Sequence, residues 1–213
     1  MNGDMTRSVV VHDRNVEWQS SPASQVSRKR FHVVGEPESG QVTSHVRYNA
    51  GARFPRHEHP DGEEILVLSG VFSDEAGDWP AGTYLLNPEG FAHAPFSEEG
   101  CELFVKLRQY PGSEHLALDV DQVAPEVHDG YRVRALFSDG IEDVCILDVN
   151  SVYASENTGG MEGFVLQRSL MVNGELLEQH DWFRLAAHEP ADIKGNGSLY
   201  LKTGALSRLR SSE

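Results

Sequence analysis

The sequence predicts an all-β protein of the jelly-roll type, arranged as two tandem barrels. Short runs rich in Val, Ile, Leu and Phe alternate with turns that draw on 20 glycines and 10 prolines, a pattern typical of β-sandwiches and barrels. No stretch of about ten residues shows a helical stripe. The strand-like run that begins at Glu64 matches a second run that begins at Glu162, which indicates an internal repeat with an offset of 98 residues.

Charge and composition exclude several classes of function. The net charge is −15, from 33 acidic and 18 basic side chains, and the longest basic cluster is 28–30, so a nucleic-acid partner is not expected. The N-terminus lacks the apolar core of a signal peptide, and no run of about twenty apolar residues occurs, so we expect a cytoplasmic protein without a membrane partner. Cys101 and Cys145 lie in strand-like runs and are expected to be small buried hydrophobes rather than a disulfide pair.

The segment 51–70 has the spacing of a metal site. His57 and His59 are two residues apart on an extended strand, so both side chains project to the same face and their imidazoles can converge on one ion. The turn Pro60-Asp61-Gly62 then brings Glu63 back beside them. A lone His-x-His is more often a pair of surface histidines, so the prediction depends on the added carboxylate.

A fourth ligand is expected because two imidazoles and one carboxylate leave a divalent ion short of tetrahedral coordination. Twenty residues after Glu63, a strand-like run at 83–87 begins and enters a turn formed by Pro88 and Gly90. His93 follows this turn, thirty residues after Glu63. The predicted metal ligands are therefore His57, His59, Glu63 and His93.

These residues resemble the two motifs of the cupin superfamily. Gly51, His57-x-His59, Glu63 and Gly70 match the first motif at each defining position, and Gly82, Pro88-x-Gly90 and His93 match the second. The last position of the second motif, usually Asn, is Ser97. Over residues 30 to 108 the amino-acid sequence is similar to the cupin half of ChrR-type anti-sigma factors and their stand-alone relatives.

The resemblance implies a double-stranded β-helix that holds one divalent metal ion. It favours Zn, whereas cupin dioxygenases with this ligand set use Fe, Mn, Ni or Cu. Two functions remain open: an enzyme that acts on a small chelating molecule such as a β-diketone, enediol or flavonol, by dioxygenation, isomerisation or hydrolysis, and a non-catalytic module that senses a ligand or oxidant. The resemblance also implies a homodimer. Sigma-factor binding is not expected, because the helical sigma-binding domain of those factors has no counterpart here.

We predict four segments in the chain. They are an N-terminal extension at 1–30, a metal-binding cupin domain at 31–110, a linker or inter-domain strand at 111–127 and a degenerate, metal-free cupin domain at 128–207. At the offset of 98, the four ligands face Ser155, Asn157, Met161 and Ala191, so no ligand set survives in the second copy. The N-terminal extension is expected either to dock as an extra strand or to form a partly ordered tail.

The remaining polar candidates cannot be assigned to a role from sequence. Arg47, Tyr48 and Arg53 lie near the first motif, and Glu64 is expected to be an exposed strand residue. No general base beyond the ligands is recognisable, so the catalytic residues stay unassigned. In the second repeat, His180 and His188 lack a His-x-His partner and are expected to be surface or hydrogen-bonding histidines.

Overall fold

A computed structural model describes residues 1–36 and 38–211, and it divides the chain into two compact units. Unit 1 comprises Met1–Gly3 and Val16–Asp121, and unit 2 comprises Asp4–Asn15 and Gln122–Glu213. In the described part of the chain, helical structure consists of the short 3-10 turns Asp13–Asn15, Val120–Gln122 and Ala205–Arg208. None of the described helices has the length and apolar character needed to cross a bilayer.

All other regular structure in the described residues is β-strand. The strands are, in chain order, β1 (Val9–Val11), β2 (Gln19–Ser20), β3 (Val26–Val34), β4 (Gln41–Tyr48), β5 (Ala52–Arg53), β6 (His57–Glu58), β7 (Glu63–Asp74), β8 (Gly77–Pro80), β9 (Thr83–Asn87), β10 (Ala92–His93), β11 (Phe96–Ser97), β12 (Cys101–Leu107), β13 (Leu116–Asp119), β14 (Glu126–His128), β15 (Tyr131–Ser138), β16 (Asp143–Val149), β17 (Val152–Ser155), β18 (Met161–Gln167), β19 (Leu170–Val172), β20 (Glu175–Leu177), β21 (Trp182–Leu185), β22 (Ala191–Gly195) and β23 (Gly197–Thr203).

Unit 1 is a jelly roll whose main sheet has the order β13-β9-β7-β12-β4-β3-β2. The second half of β7 leaves this sheet to pair with β8 and β11, and β11 pairs with β5. A two-stranded ladder of β6 and β10 completes the unit. The predicted all-β jelly-roll class is confirmed.

Strand β7 is the centre of unit 1 because it is paired on both edges. Its first half reads Glu-Glu-Ile-Leu-Val, pairs with β9 on one side and β12 on the other, and is buried throughout. A β-bulge between Glu102 and Leu103 of β12 shifts the register, which lets β7 bend from one layer into the next. Ile65, Val67 and Phe72 of β7 belong to the apolar core of the unit.

Unit 2 has a sheet of order β1-β21-β18-β23-β16-β15-β14 and a second sheet of order β17-β22-β19-β20. Its pairings repeat those of unit 1 at the predicted offset. Glu63 lies opposite Asn87 in unit 1, and Met161 lies opposite Leu185 in unit 2. The bulge recurs as well, between Val165 and Gln167 on β18.

Left-handed backbone positions recur at the same offset although the residue types differ. Glycine 82 has φ +89° and donates its N–H to the Val67 carbonyl at 2.9 Å; in unit 2, His180 has φ +73° and donates to the Val165 carbonyl at 2.8 Å. Three glycines of the motifs have a positive φ that is kept by a non-glycine residue in unit 2. The pairs are Gly70 and Arg168, Gly82 and His180, and Gly90 and His188. At these three positions unit 2 thus keeps the left-handed backbone without the glycine.

The two segments predicted to lie outside the barrels both contribute strands. Within the predicted linker 111–127, β13 pairs with β9 of unit 1, and β14 begins at Glu126, before the predicted start of the second domain. Within the predicted extension 1–30, β1 pairs with β21 and so extends the sheet of unit 2, whereas β2 pairs with β3 of unit 1. Short strands that only border a sheet have weak sequence periodicity. The sequence therefore leaves open whether 1–30 docks as a strand or forms a tail, and whether 111–127 is a linker or an inter-domain strand.

Candidate metal centre

Two histidines meet across the smallest ladder of unit 1. Strands β6 and β10 contain two residues each, and their register places His57 directly opposite His93. Directly opposed residues in an antiparallel pair project to the same face, so both imidazoles point to one side of the ladder. The Pro/Gly turn before His93 is held by the Phe91 N–H, which donates to the Pro88 carbonyl at 3.0 Å.

The imidazoles of His57, His59 and His93 converge on one point. One ligand atom from each of the three rings lies within 4.8 Å of the others. His59 Nε2 and His93 Nε2 are 3.0 Å apart. His59 and His93 are buried, and His57 is half-buried, so the cluster has one more accessible side.

Glu63 adds a carboxylate to this cluster at the first residue of β7. Its Oε2 lies 3.4 Å from His59 Nε2 and 3.7 Å from His93 Nε2. Asn87, opposite Glu63 in the ladder between β7 and β9, donates its Nδ2 to the same Oε2 at 2.9 Å. The structure therefore brings together all four residues that the sequence predicts as ligands.

Hydrogen bonds on the far side of two rings fix their orientation. His57 Nδ1 lies 2.9 Å from the Pro55 carbonyl, which makes Nδ1 the protonated nitrogen and leaves Nε2 as a lone-pair donor. His93 Nδ1 lies 3.0 Å from Asp74 Oδ2. Asp74 is itself held at Oδ1, where the Ala76 N–H donates at 2.9 Å and the Trp79 indole donates at 3.2 Å. A carboxylate behind an imidazole is the arrangement that orients metal-binding histidines.

Burial and nearby charge favour the neutral imidazole of His59, and the neutral form is the one that binds metals. Burial lowers the pKa of His59 from its ordinary value, although the Glu63 carboxylate opposes this effect. The positive charge of the Arg108 guanidinium lowers the same pKa further. Burial alone would raise the pKa of the Asp74 carboxyl, but the hydrogen bonds that it accepts, from His93 foremost, bring the pKa below its usual value.

The cluster opens into a cavity of about 310 Å³ inside the barrel of unit 1. Apolar side chains from several strands form much of its wall, and polar groups stand at intervals among them. The apolar lining includes Val26, Val46, Phe54, Ile65, Phe72, Leu103, Val105 and Leu107. The polar lining includes Ser21, Arg28, Glu38, Ser44, Tyr48, Glu58 and Arg108 besides the four clustered residues. An apolar cavity with a few convergent polar groups is typical of a small-molecule site.

Of the other polar residues named from sequence, only Tyr48 lines this cavity. Burial raises its pKa well above the usual value, and the Glu63 carboxylate adds to the effect. Arg47 pairs with Glu102 at 2.7 Å, and Arg53 pairs with Glu98 on the surface. Glu64 is not exposed, as the sequence suggested, but buried: it lies between β9 and β12, where Tyr84 Oη donates to its Oε1 at 2.9 Å.

Four cavity or supporting residues were missed by sequence reasoning: Asp74, Asn87, Arg28 and Arg108. Asp74 and Asn87 approach the ligands from the far ends of β7 and β9, and no short spacing connects them to the histidines. A signal for Asn87 does exist in the repeat. The Glu63 and Asn87 pair is replaced by Met161 and Leu185, so both polar partners change together.

Three of the four cluster positions hold apolar or small residues in unit 2, and the fourth is Asn157, whose Nδ2 donates to the Ala186 and Glu189 carbonyls at 2.9 Å each. Ser155 lies opposite Ala191 in the ladder that corresponds to His57 and His93. Met161 and Ala191 belong to the apolar core of unit 2, as does Phe183, whose ring fills the space beside Gly163. The exposed His188 and the half-buried His180, stacked on Phe164 at 5.7 Å, fit the surface reading.

A comparison with models of known families shows which family the chain belongs to. Residues 6–111 match the model of the family described as the ChrR Cupin-like domain. The chain is a cupin. This confirms the resemblance to the cupin domain of ChrR-type anti-sigma factors that the two motifs indicated. No curated protein matches the sequence of this cupin.

Solved structures similar to this cupin share its fold at low sequence identity. A candidate dioxygenase from Nostoc punctiforme aligns with a TM-score of 0.76 and 14% identity, over 97% of this chain and 86% of the other. A bacterial pirin from Escherichia coli in complex with nickel(II) aligns with a TM-score of 0.66 and 13% identity, over 92% and 98%. Oxalate decarboxylase from Lactobacillus farciminis in complex with formate aligns with a TM-score of 0.66 and 12% identity, over 92% and 85%. At these identities the likeness shows the fold alone.

Proposed function

We propose that this cupin binds one divalent metal ion through His57, His59, Glu63 and His93, and that it acts on a small chelating substrate at the open coordination positions. The observation that carries the proposal is the convergence of three imidazole nitrogens within 4.8 Å of one another. The Glu63 carboxylate, 3.4 Å from His59 Nε2, completes the donor set.

The spacing of the donors fits an ion. Ligand atoms about 2.1 Å from a metal lie about 3.0 to 3.4 Å from each other, for angles between a right angle and a tetrahedral one. The 3.0 Å between His59 Nε2 and His93 Nε2 is in this range. The burial of two closely spaced imidazole nitrogens beside a carboxylate has a direct explanation if the group is a ligand set.

The donor set also limits the chemistry. Three neutral imidazoles and one carboxylate leave a divalent ion with a net charge of about +1 and, at coordination five or six, with one or two positions for an exogenous ligand. When bound, such an ion supplies Lewis acidity to a chelating oxygen or a redox centre for dioxygen, according to the metal.

The residues of the chain supply position and exclusion of water. Asp74 holds the His93 ring through Nδ1, and Asn87 holds the Glu63 carboxylate through Oε2. The apolar wall of the cavity, with Phe54 and Phe72 near the histidines, keeps bulk water from the chelated end of a substrate. This arrangement suits a dioxygenase, isomerase or hydrolase that acts on a β-diketone, enediol or flavonol.

We propose Zn as the native metal on the strength of the resemblance to ChrR cupins. Imidazole and carboxylate donors also accept Fe, Mn, Ni or Cu, and one structural neighbour, the pirin, is a nickel(II) complex. Elemental analysis and electron paramagnetic resonance of protein purified without an affinity tag test this point. Near one equivalent of Zn with a silent spectrum is the expected result, and a protein without metal would contradict the proposed function.

Dioxygen consumption tests the enzymatic part of the proposal. We expect iron-loaded protein to take up dioxygen in the presence of a β-diketone or a flavonol if the redox version of the chemistry applies, as the candidate dioxygenase among the neighbours suggests. The matched control is the variant with both His57 and His59 replaced by Ala. Absence of turnover with each of the metals would count against oxygenase chemistry.

A second function is favoured by the family match over residues 6–111. In this alternative the cupin is a non-catalytic, metal-dependent module that registers a small ligand or an oxidant. Ligand binding without turnover, together with a change in protease sensitivity, would distinguish it from an enzyme. The implied homodimer stays a prediction that light scattering can check.

A further inference from the structure

Two arginines line the same cavity as the clustered histidines. Arg28 is buried, and its Nη2 donates to Ser21 Oγ at 2.7 Å and to Glu38 Oε2 at 3.0 Å. Glu38 is shared, because Arg30 donates to its other oxygen at 2.8 Å. Two guanidinium groups therefore share the Glu38 carboxylate, and of these three residues Arg28 and Glu38 line the cavity.

The fold does not require an arginine at position 28. Arg28 lies opposite Val46 in the ladder between β3 and β4, and the equivalent position of unit 2 is Val133, opposite Leu147. Val133 packs against the apolar core of its unit. Burial of a cation is costly even when it is paired, as Arg28 is with Glu38. Because the same strand is built with Val in unit 2, the barrel itself does not require a cation at this wall of the cavity.

Arg108 also differs from its counterpart in unit 2, because a residue with a side chain stands where unit 2 has glycine in a left-handed backbone conformation. It has φ +58°, and its N–H donates to the Gly62 carbonyl at 2.9 Å. Its equivalent in unit 2 is Gly204, with φ +80° and an N–H bond to the Gly160 carbonyl, also at 2.9 Å. A left-handed conformation costs conformational free energy in any residue that has a Cβ. Unit 1 carries this cost at a position that lines the cavity, and backbone strain of this kind concentrates at functional sites.

We propose that the cavity binds a small carboxylate, with its anionic end on the guanidinium groups of Arg28 and Arg108 and its other end directed at the metal ion. This inference rests on the proposed function and narrows the chelating substrate of the same site to a molecule that also carries a carboxylate. Guanidinium groups recognise carboxylates through paired N–H donors. Glu38 engages Arg28 through one contact, between Oε2 and Nη2 at 3.0 Å. The volume of about 310 Å³ fits a short-chain molecule.

The test uses the metal-loaded chain of 213 residues, titrated calorimetrically with succinate and with succinamide, in which both carboxylates are replaced by uncharged amides. We expect succinate to bind at least tenfold more tightly than succinamide. R28M, which keeps an unbranched apolar stem without the guanidinium group, and R108G, which adopts the residue found in unit 2, should each weaken succinate binding at least tenfold. R53Q is the matched control, because Arg53 is exposed and lies outside the cavity lining, and it should bind succinate like the wild type.

R108G separates a ligand role from a structural one. Because glycine is at ease at positive φ, this variant should unfold at the same or a higher temperature while its succinate affinity falls. Equal affinity for the two probes, unchanged succinate affinity in both arginine variants, or no succinate binding at millimolar concentration would overturn the inference. Metal content, measured on each sample, tests the proposed function separately, since arginine-dependent binding to a metal-free protein would support the inference and contradict the metal site.

Discussion

His57 lies directly opposite His93 in a ladder of only two residue pairs. In the second unit of the same chain, the corresponding ladder pairs Ser155 with Ala191. The backbone that brings the two histidines together is thus present twice, and only one copy carries side chains able to coordinate an ion. Each copy is therefore an internal reference for the other.

Replacing both His57 and His59 with Ala should abolish stoichiometric metal in the purified protein. The remaining His93 and Glu63 provide two donors, which is too few to retain a divalent ion against dialysis. Elemental analysis of the dialysed variant is the measurement. His128→Ala in unit 2, a partly exposed histidine beside Glu126, is the control and should leave the metal content unchanged. Retention of one equivalent by the double variant would disprove the ligand assignment.

The variant Asp74→Asn should weaken metal binding by about 10- to 100-fold without preventing it. The Ala76 N–H and the Trp79 indole both donate to Oδ1, so the amide oxygen stays with them and the amide NH₂ faces His93 Nδ1. The ring then loses the acceptor that fixes its tautomer. Competition with a fluorescent chelator gives the affinity.

The control for that variant is Asp78→Asn on the same hairpin. Asp78 accepts a hydrogen bond from Ser73 Oγ at 2.6 Å and contacts none of the four predicted ligands. If both variants weaken metal binding equally, the loss reflects the hairpin as a whole, and the specific role of Asp74 would have to be abandoned.

Arg168→Gly should stabilise unit 2 by about 1 kcal/mol, because Arg168 has φ +62° and glycine removes the steric cost of the left-handed conformation. For a chain of this size, the gain corresponds to a rise of about 2 to 4 °C in the unfolding temperature. Differential scanning calorimetry measures this rise in unfolding temperature.

The residue of unit 1 equivalent to Arg168 is Gly70, and a substitution there should change stability in the opposite direction. Gly70→Ala should destabilise, since a Cβ there would lie 2.1 Å from the Gly100 carbonyl oxygen.

The Glu102 carboxylate should make the stability of unit 1 depend on pH in the acid range. A hydrogen bond from His45 and then the contact with Arg47 lower the pKa of Glu102 from 4.5 to about 2, although burial opposes them. A group whose pKa is lowered by folding contributes stability that is fully present above its unfolded pKa, and this contribution is lost as the pH falls from about 4.5 towards about 2.

We therefore expect Glu102→Gln to be about 1 to 2 kcal/mol less stable than the wild type at neutral pH, with a smaller difference near pH 3. Urea unfolding of both proteins at the two pH values is the measurement. Loss of metal in acid affects both proteins alike and so cancels in the comparison. A stability difference that stayed constant or grew towards acid pH would show that the carboxylate is not the cause.

Much of the candidate site could be predicted because its residues lie close together in sequence. His57, His59 and Glu63 form one strand and turn, and the period of two along a strand specifies which side chains share a face. His93 follows the second Pro/Gly turn. The structure brings the four together, and their role as ligands stays a prediction.

The supporting residues could not be predicted from spacing, because tertiary pairing alone brings them to the cluster. Asp74 is one of 33 acidic residues, and only the long β7 carries it back to His93. Glu64 was misread as exposed because alternation along a strand assumes one solvated face, whereas β7 is covered on both. The offset of 98 does not relate Arg28 to Val133, because loops of different length change the offset outside the motif strands. The strand pairing shows that the two positions correspond.

The N-terminal strand has a consequence for how this protein is made. Val9–Val11 forms the edge of the sheet of unit 2 by pairing with Trp182–Arg184, whereas the residues between, from Val16 to Asp121, form unit 1. During synthesis from the N-terminus, this strand leaves the ribosome before all of Val16–Asp121 and has no partner until β21 has followed. A clone that begins after Asn15 would leave β21 with an open edge, a ready template for aggregation. The two units therefore cannot be expressed as halves by a single cut in the gene.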